Sequence, residues 1–148
     1  MRYWALQRGI YSINFGYLGG VTIAVMVAKI CQDFPDLSPA CTLFKFFEVY
    51  SESSWRDPVQ MQLTNKKSKK SENLRMHHIE AINMYSSDAM VVLTPTNQLQ
   101  NTSYRVRDHN LLIICQELSK AHNLLKRLKP HSKIMYRRPL KSVNDEAE

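Results

Sequence analysis

The chain has 148 residues, 44% of them hydrophobic, which suits one domain, or a piece of a larger one, around a buried core. Its formal charge is +7, but residues 61–75 hold a net of +4 and residues 129–148 a net of +2, so the rest is close to neutral. The basic charge is therefore weak evidence for a basic groove on the fold, and fits loose polyanion contacts or a targeting signal. The longest apolar run is far short of the roughly 20 residues that span a bilayer. No apolar stretch precedes a small-residue cleavage site at the N-terminus, so neither a membrane partner nor secretion is expected.

Residues 2–10 read as the end of a helix whose beginning is missing, since Met1 falls inside the pattern and nothing caps it. Residues 11–20 hold three of the four glycines, Gly16, Gly19 and Gly20. An apolar run from Val21 to Ala28 follows, broken only by Thr22, and predicts a buried central helix over 21–33. A glycine-rich turn ahead of a helix sets bare backbone N–H groups at the positive end of the macrodipole, where a phosphate or a nucleotide can come close. A turn before a buried helix, with no ligand, explains the same residues.

Ser38-Pro39 sets an N-cap before Pro at the first helical position. A helix is expected from there to about Ser51, with Ala40, Leu43, Phe44, Phe47 and Tyr50 as its core stripe. Residues 55–59 then lead into a short extended piece. Residues 62–74 are polar, with Lys66, Lys67, Lys69 and Lys70 around Ser68, and read as an insertion without regular structure. A short helix is expected over 76–86, an extended run over Met90–Pro95 and a polar loop over 96–104. The last helix runs from Asp108, as N-cap, to Lys129 before Pro130, with Leu111, Ile114, Leu118, Ala121, Leu125 and Leu128 as a packing seam. The domain is thus expected over 1–128, with the insertion at 62–74 and a loose charged tail at 129–148.

The polar residues announce no reaction centre. His77 and His78 are adjacent and point to different faces, and His109, His122 and His131 lack Cys or acidic companions at ligand spacing. Asp33, Asp36, Glu48, Glu52, Asp57 and Asp88 are scattered, whereas two-metal phosphoryl transfer needs clustered carboxylates. Cys31, Cys41 and Cys115 have no paired spacing and sit in apolar helical contexts, so buried thiols in a reducing compartment are expected. No catalytic or metal-binding residue is therefore assigned.

The order of residues carries more. Arg2-Tyr3-Trp4-Ala5-Leu6 is followed by Tyr11-Ser12-Ile13-Asn14-Phe15-Gly16-Tyr17-Leu18-Gly19-Gly20-Val21, then by Ala28-Lys29-Ile30-Cys31-Gln32-Asp33-Phe34-Pro35. Lys45-Phe46-Phe47-Glu48-Val49-Tyr50-Ser51 leads to Trp55-Arg56-Asp57-Pro58-Val59, and Met90-Val91-Val92-Leu93-Thr94-Pro95 leads to Asn101-Thr102-Ser103-Tyr104. In this order these blocks resemble the central domain of eukaryotic nuclear poly(A) polymerases, over roughly residues 2–128. Four departures are visible: the family's Lys is Arg2, its Asn is Ile13 with Asn14 one place later, the first Trp of its Trp pair is Ser53, and a Pro is Val91.

The resemblance implies a mostly α fold, a helical central domain with short extended segments. It implies part of a polynucleotide adenylyltransferase, a nucleotidyltransferase that adds AMP from ATP to RNA 3′ ends in mRNA polyadenylation, in the nucleus. The catalytic carboxylates and their Mg²⁺ or Mn²⁺ would lie in a nucleotidyltransferase domain outside this sequence. The chain by itself is then expected to bind no metal and to be inactive. Its partners would be ATP and the RNA 3′ end through the complete enzyme, with 3′-end processing factors. Carried over residue by residue, Arg2, Tyr11, Asn14, Gly19, Gly20, Val21 and Thr94 would contact the nucleotide. The alternative is a non-catalytic helical remnant that binds RNA or protein.

Overall fold

The computed structural model describes residues 1–61, 79–96 and 100–128. The expected insertion at 62–74 and tail at 129–148, and the first residues of the helix expected over 76–86, lie outside the described residues.

Helix α1 spans Arg2–Gln7 and is shorter than the pattern over 2–10 predicts. Its end is built by Gly9, at φ +69°. The Gly9 N–H donates to the Leu6 carbonyl and the Ile10 N–H to the Ala5 carbonyl, at 3.1 and 3.0 Å. This is the paired bonding of a left-handed glycine cap, which satisfies the last carbonyls of a helix. It turns the chain so that Ile10 is fully buried.

Residues 10–19 make a closed excursion between α1 and the next helix. The Leu18 N–H donates to the Ile10 carbonyl at 3.2 Å and the Ser12 N–H to the Leu18 carbonyl at 3.1 Å. Inside lies a 3₁₀ turn, Ile13–Phe15, closed by Gly16 in the left-handed region.

Helix α2, Gly20–Asp33, starts one residue earlier than predicted. It buries Thr22, Ile23, Val25, Met26 and Ile30, yet Val21 and Ala24 are exposed. The helix is therefore covered on one side rather than all round. Helix α3, Pro39–Ser51, starts where the sequence predicts: the Ser38 hydroxyl accepts from the Cys41 N–H at 3.3 Å, with Pro in the first turn. Its buried face is Cys41, Phe44, Phe46, Phe47 and Tyr50, while Ala40 and Leu43 of the predicted stripe are exposed. Phe46 replaces them because it packs edge-on against both Phe47 and Tyr50, at 5.5 and 4.8 Å between ring centroids. Tyr50 stacks on Trp55 and donates its hydroxyl to the Met26 carbonyl of α2 at 2.9 Å.

After α3 the chain is extended near Val59, as expected, and Val59 bonds to Val91 and Leu93 at 2.9 Å each. Leu93 also pairs antiparallel with Asn101. The contacts are isolated bridges, which leaves the fold mostly helical with short extended segments. Asn101 ties them together. Its carbonyl oxygen accepts from the Val92 N–H, the Ser103 N–H and the Ser103 hydroxyl, and its amide donates to Asp88 and the Met90 carbonyl. A buried amide with all its partners met is a rigid joint; one partner short, it would be a liability. A short helix, α4, has described residues 79–84 and seats Ala81 against Val91 and Leu93.

Helix α5, Asp108–Leu128, packs chiefly against α3. Asp108 lies inside its first turn, not at the cap: the Leu111 N–H already bonds to the Arg107 carbonyl at 2.9 Å. Ile114, Leu118 and Ala121 of the predicted seam are buried, Leu111 and Leu125 partly so, and Leu128 is 66% exposed. His122 and Asn110 join the buried face. The expectation of three buried thiols fails at Cys31, which is exposed; Cys41 is buried and Cys115 half-buried. Among the described residues no helix is long and apolar enough to cross a membrane.

Candidate functional site

The excursion 10–19 brings α1 and the start of α2 together. Arg2, in the first turn of α1, sets its guanidinium 5.4 Å from the centroid of the Tyr11 ring. A cation at this range is held by the ring's negative face. The Tyr11 hydroxyl in turn stands over Gly20: a Cβ built there would lie 3.3 Å from it. Gly20 is the first residue of α2, with Gly19 as its cap in an extended conformation. No side chain caps this end. The first N–H groups of a helix have no partner within it, so those of exposed Gly20 and Val21 rely on water or a ligand. Gly20 and Val21 are exposed, Val21 by 59%. The result is an open helix N-terminus beside an arginine, two features that favour an anion.

Arg2, Tyr11, Gly19 and Gly20 are thus assembled in one place, with Val21 adjoining them. Asn14 is not brought in the same way. It is exposed on the 3₁₀ turn, while Ile13, at the position of the family's Asn, lies 3.8 Å from a Cβ built on Gly19. One residue along a 3₁₀ turn is about 120° of rotation, so the amide one place later faces elsewhere. Thr94 is linked to α2 only indirectly. The Thr22 hydroxyl donates to the Thr102 carbonyl at 3.1 Å, and Thr102 is paired to Val92, two residues before Thr94. The Thr94 hydroxyl itself lies 3.0 Å from that of Thr96.

Gly16, together with residues that the sequence did not single out, holds the loop in shape. Gly16 is at φ +76°, and a Cβ on it would fall 2.9 Å from the Asn110 carbonyl oxygen and 3.1 Å from the Arg105 backbone oxygen. Asn110 of α5 also donates to the Phe15 carbonyl at 3.4 Å. Neither Gly19 nor Gly20 has a positive φ; Gly9 and Gly16 do. The need for glycine at position 20 is therefore room beneath the Tyr11 hydroxyl, not a left-handed backbone. Ser12, next to Tyr11, sits at φ +123°, a region costly for any side chain. The signal that could have found these residues is Gly16 itself, the glycine that closes a turn rather than opening a helix.

No group of three or more His, Cys, Asp or Glu among the described residues could hold a metal ion. A cleft of about 390 Å³ lies elsewhere, between α1, α2 and α3, and its lining is apolar: Met1, Val27, Cys31, Leu37, Pro39, Thr42, Leu43 and Phe46.

The family model described as poly(A) polymerase central domain matches residues 1–137. Nuclear poly(A) polymerase 4 of Arabidopsis thaliana is 29% identical over 130 residues, which is 86% of this chain and 17% of that protein. Nuclear poly(A) polymerase 2 of the same plant is 32% identical over 136 residues, 82% of this chain and 16% of the relative. Poly(A) polymerase PAPalpha of Candida albicans is 28% identical over 131 residues, 86% of this chain and 22% of that protein. The chain thus spans about a fifth or less of the relatives it matches. With a family model over nearly all of its length, the chain belongs to the poly(A) polymerase central domain family.

Proposed function

We propose that the chain forms one wall of the nucleotide cleft of a nuclear polynucleotide adenylyltransferase, a nucleotidyltransferase that adds AMP from ATP to RNA 3′ ends. The observation that carries the reading is the Arg2 guanidinium over the Tyr11 ring at the uncapped start of α2. In this reading the N–H groups of Gly20 and Val21 and the Arg2 charge meet the triphosphate. The Tyr11 ring and hydroxyl meet the base or ribose, and Thr94 approaches the adenine from the extended residues 92–94. Asn14 belongs to the same proposed set as a rim residue. Mg²⁺ or Mn²⁺ and the catalytic carboxylates belong to a separate nucleotidyltransferase domain, and 3′-end processing factors to the complete enzyme. The chain alone should then bind ATP weakly and transfer nothing.

Titrating the isotope-labelled chain with MgATP tests the reading directly. The amide signals of Gly19, Gly20 and Val21 should move together, at about millimolar ATP, which corresponds to roughly −4 kcal/mol. Unmoved signals there, with movement elsewhere, would refute the nucleotide-wall reading. A second reading, a non-catalytic binding module, is favoured by Ile13, whose apolar side chain stands beside Gly19 where the family has an amide. A chimera joining residues 2–128 to a known catalytic domain and its RNA-binding partner separates the two: an active chimera excludes the second.

A further inference from the structure

The surface next to this loop holds two exposed aromatic rings and an arginine that the nucleotide site does not use. Phe15 is 77% exposed, whereas Phe44, Phe46 and Phe47 are all nearly fully buried. Tyr104 is 52% exposed, and the Arg105 guanidinium lies 5.6 Å from its ring centroid. The two loops that carry them meet. Asn110 bonds to the Phe15 carbonyl, and a Cβ on Gly16 would stand 3.1 Å from the Arg105 backbone oxygen. Both loops are held from beneath: the Phe15 N–H donates to the Ser12 carbonyl, and Tyr104–Arg105 is bracketed by buried Ser103 and Val106, whose backbones bond at 2.9 Å. The rings are therefore presented to solvent by a fixed backbone rather than left there by a loose one.

We propose that Phe15, Tyr104 and Arg105 form a stacking platform for single-stranded RNA beside the nucleotide site, a proposal that rests on the polyadenylation reading above. Unpaired bases stack on exposed aromatic rings, and a neighbouring arginine meets the phosphates. Charge complementarity selects this occupant: Arg105 and Arg107 are both exposed here, with Asp108 as the acid next to them in sequence. A duplex would offer phosphates but no free base faces, so the rings would be wasted on it. Because stacking is tolerant of base identity, the platform would hold the strand without choosing its sequence.

The test uses the full 148-residue chain and a fluorescein-labelled oligo(A) strand, followed by anisotropy, with an RNA duplex of the same length as control. Phe15→Ala and Tyr104→Ala should each weaken oligo(A) binding about five- to a hundredfold, and Tyr104→Phe should restore it. Duplex binding, which reports the basic stretches at 61–75 and 129–148, should stay unchanged. Both side chains are exposed, so circular dichroism should show an intact fold. Oligo(A) binding that ignores both alanines, or falls in step with duplex binding, overturns the platform, as does a wild-type chain that prefers the duplex. The MgATP titration on the same variants keeps the two readings apart. Amide shifts at Gly19–Val21 that persist while the platform fails sink the platform alone. Stacking-dependent oligo(A) binding without those shifts supports the platform and sinks the nucleotide wall.

Discussion

Gly16→Ala should be among the most damaging single-methyl changes in the chain, while Gly20→Ala should be nearly silent for stability. At Gly16 two penalties coincide. The backbone is at φ +76°, and a left-handed conformation costs a side chain about 1–2 kcal/mol. The new Cβ would also stand 2.9 Å from the Asn110 carbonyl oxygen and 3.1 Å from the Arg105 backbone oxygen. Asn110 can swing aside, but then its amide loses the Phe15 carbonyl, and Asn110 is only 5% exposed. The Arg105 carbonyl belongs to a tight turn and cannot move far. Overpacking of this kind costs about 1–3 kcal/mol. The total is about 2–5 kcal/mol, a fall in Tm of roughly 6–15 °C for a domain of this size. At Gly20 the Cβ would meet only the far end of Tyr11, at 3.3 Å, on a helical backbone without positive φ. Loss of chain flexibility there offsets any crowding, so the change should be within about 1 kcal/mol. Urea unfolding of wild type and both variants measures this, read as a shift in midpoint at constant slope. A Gly16→Ala loss below about 1 kcal/mol would mean that the loop can leave α5 freely, and the account of its anchoring would be wrong.

Three further outcomes can be checked. In the chimera described above, Gly20→Val should raise the KM for ATP about ten- to a hundredfold, through roughly 1.5–3 kcal/mol of lost backbone–phosphate bonding, with little change in Tm; unchanged KM in a stable protein refutes the proposed wall. Ser12→Gly should stabilise the chain by about 1 kcal/mol, since glycine accepts φ +123° without strain; urea titration that shows a loss would mean the Ser12 side chain contributes more than its strain costs. Burial, with Asp33 adding to it, raises the Tyr50 phenol far above its ordinary value of 10.0. The folded state therefore favours the neutral phenol: this share of stability is complete below about pH 10 and lost as pH rises beyond it. The Cm should drop steeply above pH 10, and Tyr50→Phe, weaker at neutral pH by about 1 kcal/mol for the lost Met26 bond, should flatten that drop.

Local chemistry was the readable part of this protein. Ser38 and Pro39 specify the start of α3 because a cap needs only the residues beside it. The Ile114, Leu118 and Ala121 seam of α5 follows from spacing, and the ordered blocks from Arg2 to Tyr104 carried the family. Gly9 ends α1 early, but its place inside the helical pattern over 2–10 hides that from the sequence. Tertiary structure decided the rest. Which apolar residues are covered depends on what arrives from elsewhere in the chain, so Val21 and Leu43 are exposed while Phe46 is buried under its aromatic neighbours. Asn101 reads as a loop residue, yet five hydrogen bonds to residues 88–92 and to Ser103 make it a joint. At the candidate site, spacing cannot tell a glycine that needs a left-handed backbone from one that needs space. The φ of +76° at Gly16 makes the first, and the Tyr11 hydroxyl over Gly20 makes the second. Arg2 meets Tyr11 only because the left-handed turn at Gly9 folds the loop back onto α1, a juxtaposition that exists in the fold and nowhere in the order of residues.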